Sequence, residues 1–91
     1  MKPYRLNETS YVYELTPNDS HKSFYGKARV IVDREAGTET LVSYTTEVMR
    51  RDMNTGKLTR LWHGWSATTG RHVSAFCGIN KKAWDAMAVE A

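Results

Sequence analysis

The sequence contains one cysteine, Cys77, so no intrachain disulfide can form. The fold must therefore be held by its core, and the chain suits a reducing cytosol. Long apolar runs are missing as well: nothing approaches the ~20 residues that cross a bilayer as a helix. The opening stretch, MKPYRLNETS, is too polar for a secretory signal. Without export, the glycosylation patterns at residues 7–9 and 18–20 carry no meaning. Repeats, linkers and low-complexity segments are absent, so residues 1–91 are expected to form a single domain, with residues 1–9 as an extended or frayed arm. These absences together predict a cytoplasmic protein with no membrane contact.

Signatures of chemistry are equally scarce. His21, His63, His72 and Cys77 show no ligand spacing for a metal, and no cofactor motif is present, so neither a metal nor a cofactor is expected. The segment TGKLT lacks the upstream glycine of a phosphate loop, because Arg51 occupies that position, and no helical pattern comes after it. Ser66 and His72 are six residues apart, about 240° around a helix at ~3.6 residues per turn, and His72 and Cys77 are no closer in direction. No local nucleophile–base pair exists, and an enzyme is not expected.

What the chain does have is aromatic bulk and an uneven charge. Ten aromatic residues (three Trp, five Tyr, two Phe) can supply much of a core. Each well-buried ring removes roughly 150–250 Å² from water, or about 4–6 kcal/mol gross at ~25 cal/mol per Å². Residues 1–48 carry six basic and seven acidic side chains, whereas residues 49–91 carry seven basic and three acidic ones. The net balance of −1 against +4 points to an acidic partner, protein or nucleic acid.

Alternation predicts strands over residues 10–16, 24–33 and 39–51, and a fourth over LTRLWHG. Pro17-Asn18-Asp19-Ser20, the segment REAGT with Gly37, and DMNTGK with Gly56 supply the turns. At Ser66 the period changes to that of a helix: Thr69, Val73, Phe76 and Cys77 share a face, Ser66 suits the N-cap and Gly78 the C-terminal left-handed position. Gly70 inside that helix implies close approach to another backbone. Asn80 suits the cap of a second short helix, with Ile79 and Trp84 spaced as a hydrophobic staple. The expected fold is α+β, an antiparallel meander of about four strands packed by one or two short C-terminal helices.

Within RLWHGWSATTGRHVSAFCG, Trp62 and Trp65 are expected to seal the sheet–helix junction. The alternative is an aromatic flanked by Arg60, Arg71 and His72 that stacks a base or anchors a partner. His72 is read in two ways: as a border histidine bonded to a strand carbonyl or to the Thr68 hydroxyl, or as a side chain presented to a partner. Lys81 and Lys82 sit in the first turn of the second helix, where the macrodipole favours acidic residues, so they too are candidates for contact. The candidate partner-binding set is Arg50, Arg51, Arg60, Trp65, Arg71, His72, Lys81 and Lys82.

About half of the chain, residues 44–84, resembles a family of small proteins of tailed bacteriophages and prophage-bearing bacteria. The resemblance rests on S-Y-x-T (Ser43, Tyr44, Thr46) and W-x-G-W-S-x-T-T-x-x-H (Trp62, Gly64, Trp65, Ser66, Thr68, Thr69, His72). It brings no catalytic residues. It implies a setting, the cytoplasm of an infected or lysogenic bacterium. There, a small non-enzymatic protein would bind and modulate a bacterial host protein, such as a CRISPR effector or another defence factor. The alternative is a small nucleic-acid-binding domain using the basic C-terminal half. A homodimer formed through a sheet edge is also compatible with the sequence.

Overall fold

A computed structural model describes residues 4–5, 10–15 and 26–89. Among the described residues, six strands form one antiparallel sheet: β1 (Tyr4–Arg5), β2 (Ser10–Glu14), β3 (Ala28–Asp33), β4 (Thr38–Ser43), β5 (Thr46–Asp52) and β6 (Leu58–Arg60). Their spatial order is that of the chain, β1 to β6, which makes the sheet a plain meander. The described residues also form two helices, α1 (Ala67–Cys77) and α2 (Lys81–Asp85). The α+β architecture is the expected one. Parts of the expected arm, the turn at residues 17–20, His21, and the expected strand residues Phe24 and Tyr25 lie outside the described residues.

The sheet has more strands than the sequence led us to expect, for two reasons. Tyr4 and Arg5 pair with Val12 and Tyr11, so part of the arm is a strand. The single strand expected over residues 39–51 is in fact a hairpin, and Ser43-Tyr44-Thr45-Thr46 is its turn. Tyr44 takes the positive φ, 59°, that lets the chain reverse within two residues. The register then slips: Leu41 faces Met49 but Val42 faces Glu47, leaving Val48 as an extra bulged residue. With that bulge, the consecutive residues Val48 and Met49 are both fully buried.

Opposed residues in a sheet share a face, so the register identifies the core side. Tyr11 and Tyr13 pair with Val32 and Val30, Val30 with Leu41, Leu41 with Met49, and Met49 with Arg60. The helices cover this face, adding Val73, Phe76 and Trp84 to a cluster with Val30, Val32, Leu41, Val48 and Met49. The other face shows Val12, Ile31 and Val42 among Glu14, Arg29, Thr40 and Arg50. A shallow hollow there is lined by Val12, Arg29, Ile31 and Val42.

Local chemistry sets the helix ends. Ser66 accepts a hydrogen bond from the Thr69 N–H at 3.1 Å, and Gly78 closes α1 at φ 79°. Asn80 caps α2 through the Ala83 N–H at 2.9 Å. Both caps were legible in the sequence. Gly70 is tightly approached, but by a ring rather than by backbone: a Cβ at Gly70 would overlap the Trp65 indole, and one at Gly64 would overlap Trp62. Each tryptophan thus folds back onto a glycine a few residues along the chain. No helix among the described residues is long and apolar enough to cross a membrane.

Candidate functional site

The residues singled out in the sequence divide into an interior group and a surface group. Arg60 belongs to the interior, at 8% exposure. Its Nε donates to the Trp62 carbonyl (2.9 Å), Nη1 to the carbonyls of Trp84 (2.9 Å) and Met87 (3.2 Å), and Nη2 to that of His63 (2.7 Å). The guanidinium also lies 4.6 Å from the Trp84 ring centre. One cation thus gathers carbonyls from the β6–α1 loop, from α2 and from the C-terminal segment beyond it. Trp84 itself is fully buried, donates from Nε1 to the Gly64 carbonyl at 3.0 Å, and has the Trp65 ring 6.0 Å away.

His72 is also interior, at 1% exposure, which agrees with the first of its two readings, a bonded histidine at the packed face, and not with a side chain presented at the surface. Its Nδ1 lies 2.7 Å from Ser43 Oγ, which in turn lies 3.2 Å from Thr69 Oγ1. The expected partners, a strand carbonyl or the Thr68 hydroxyl, are replaced by a strand hydroxyl 29 positions earlier. A neutral imidazole completes this chain in either tautomer. Burial holds its pKa below the ordinary 6.5, and the Arg71 charge pushes the same way. A serine and a histidine at this distance have the reach of a nucleophile and its base. Ser43 is only 3% exposed, however, so the pair is enclosed within the fold. The strand partner of His72 is the Ser43 hydroxyl in place of a backbone carbonyl, and nothing local in the sequence marks a serine 29 positions away as that partner.

Arg51 is half-buried and joins sheet to helix. Its Nε pairs with Glu39 Oε1 at 3.1 Å, and its Nη1 donates to the Phe76 carbonyl at 2.9 Å. A cation at the carboxyl end of α1 complements the helix dipole. Arg50 points to the opposite face, 3.5 Å from the Thr40 hydroxyl. Cys77, half-buried against Met49, has its thiol pKa raised, chiefly by burial. That favours the inert protonated form.

The surface group is smaller. Arg71, Lys81 and Lys82 are exposed, and Lys81 pairs with Asp85 one turn on at 2.7 Å. Trp65 is half-buried at the junction it was expected to seal. Tyr44 is 47% exposed at the β4–β5 turn, with Lys27 Nζ 5.7 Å from its ring centre. Nothing in the sequence distinguished it as a surface feature, since it was read as a strand residue.

The motif residues Ser43, Thr69 and His72, drawn from separate segments, therefore converge on one buried cluster. Trp62, Trp65 and Gly64 converge on another, around Arg60 and Trp84. No curated protein and no solved structure matches the chain. Residues 13–87, which include both clusters, match a family of unknown function, DUF8033, and the chain belongs to that family.

Proposed function

We propose that this is a non-enzymatic accessory protein of bacteriophage type that binds and modulates a bacterial host protein, acting in the host cytoplasm. The phage setting comes from the resemblance of the S-Y-x-T and W-x-G-W-S-x-T-T-x-x-H segments, and a defence factor such as a CRISPR effector is the class of target it suggests. The observation that carries the reading is the closure of the Ser43–His72 pair. The Ser43–His72 geometry is spent inside the fold, while a half-exposed aromatic and several cations remain at the surface. Large aromatics and arginine dominate protein interfaces, so this distribution favours binding over catalysis.

A pull-down from bacterial lysate, with and without nuclease, tests the reading. A protein captured in both conditions supports it. A second reading, nucleic-acid binding through the C-terminal half, draws on the exposure of Arg71 and Lys82. It predicts affinity for random duplex that falls by about 0.9 log unit per log unit of salt for each phosphate neutralised. Capture that vanishes with nuclease, together with that salt slope, would replace the first reading with the second.

A further inference from the structure

Tyr44 occupies a backbone region, φ 59°, that side-chain-bearing residues seldom take. Its Cβ crowds the next carbonyl oxygen there, and glycine, asparagine or aspartate are the usual occupants. The turn is nevertheless held: the Tyr44 N–H donates to the Lys27 carbonyl at 2.7 Å, and Arg29 Nη2 donates to the Tyr44 carbonyl at 3.0 Å. Both bonds use backbone atoms that a glycine would also supply. The ring gains little in return, being 47% exposed, with the His72 ring centre 6.0 Å away. A strained, bulky and exposed side chain where glycine would be relaxed is a stability cost, and such costs gather at functional sites.

The neighbourhood is cationic. Lys27 lies over the ring and is exposed, Arg29 bonds the turn and is exposed, and Arg71 is exposed beside His72 on α1. Among the described residues, two acidic side chains stand on this part of the sheet, Glu14 opposite Arg29 and Glu47 opposite Val42 next to the turn, so Arg29 is flanked by acid while Lys27 and Arg71 lie outside that row.

We infer that Tyr44, with Lys27 and Arg71, anchors an interaction surface for an acidic protein segment. The ring supplies a rigid contact of few torsions, and the cations steer an acidic chain toward it. Nucleic acid fits less well, because single-strand binders stack bases on successive aromatics along a groove. Among the described residues the exposed large hydrophobics are Tyr44, Met53 and Val89, so Tyr44 stands there as a lone ring. This inference rests on the protein-binding reading and gives that reading a location.

The test is selection of a displayed random-peptide library on the wild-type chain, followed by affinity measurements on Tyr44→Ala, Tyr44→Gly and the distant control Met53→Ala. Enriched peptides should be acidic and lose roughly tenfold or more in affinity on either Tyr44 variant, the scale of a hot-spot truncation. Met53→Ala should bind as the wild type does. In urea unfolding, the glycine variant should exceed the alanine variant by roughly five- to thirtyfold in folding equilibrium constant, the size of the left-handed penalty. Peptides without acidic bias, failure of any peptide to enrich, or affinity unmoved by Tyr44→Ala would each overturn the proposal. So would Tyr44-dependent binding of single-stranded oligothymidine in place of peptide, or a glycine variant no more stable than alanine. A lysate protein captured equally by wild type and Tyr44→Ala, with no Tyr44-dependent peptide, removes this surface but leaves the protein-binding reading standing. Capture by neither removes both.

Discussion

Two buried polar assemblies tie the sheet to its helices, and they do so by opposite means. At the β6 end, Arg60 reaches four backbone carbonyls and covers the Trp84 ring. At the β4 end, Ser43, Thr69 and His72 form a chain of neutral side chains. The first uses a permanent charge, whose burial is tolerable only because its guanidinium fork is met by carbonyl oxygens. The second uses groups that carry no charge at neutral pH, so their desolvation costs less and each bond contributes less. One assembly is a strong joint insensitive to pH; the other is weaker and titratable.

The sharpest way to break that contrast is Arg60→Met, which keeps much of the stem volume and removes every donor. With about 1–3 kcal/mol at stake for each buried carbonyl left without a partner, and water able to recover part of it, a loss of about 3–5 kcal/mol is expected in urea unfolding. A loss under about 1 kcal/mol would mean that the carbonyls find other donors. His72→Ala and Ser43→Ala should each cost about 1–3 kcal/mol. Their double mutant should fall short of the sum by about 0.5–3 kcal/mol, as for residues in direct contact. Strict additivity would sever the bond on which the second assembly depends.

The smallest effect concerns pH. The folded state holds the His72 pKa below 6.5, so its contribution is fully present above that value and declines as pH falls toward the folded value. Between neutral and mildly acidic pH, the wild type should therefore lose more stability than His72→Gln. A guanidinium group has no titration in this range, so Arg60→Met should track the wild-type slope. Parallel slopes for wild type and His72→Gln would count against a buried neutral imidazole.

The same contrast explains what could be read in advance. Helix ends were legible because capping is local: Ser66, Gly78 and Asn80 each act within a few residues of themselves. The turns at Gly37 and Gly56 were legible because a residue of positive φ advertises itself as glycine. The turn at Tyr44-Thr45 carried no such residue, and the β-branched threonines beside it read as strand. Its clue was length, since an uninterrupted strand over residues 39–51 exceeds the usual five or six residues roughly twofold. The joints were invisible for another reason. Ser43 and His72 are 29 positions apart, and the carbonyls around Arg60 come together only once α2 has docked. A charged residue near the end of a strand reads as solvent-facing until the acceptors that satisfy it are in place.

The tryptophan–glycine contacts carry an evolutionary consequence. With the Trp65 indole filling the space of a Gly70 Cβ, and Trp62 doing the same at Gly64, neither partner of a pair is free to change alone. Alanine at 70 would raise intrinsic helix propensity by about 1 kcal/mol yet displace the ring that abuts Trp84. Lineages should therefore inherit these positions as coupled units, with alanine at 70 appearing only where position 65 has shrunk. Randomising 65 and 70 together and sequencing the folded survivors would reveal that covariation directly, as reciprocal exchange of volume between two sites five residues apart.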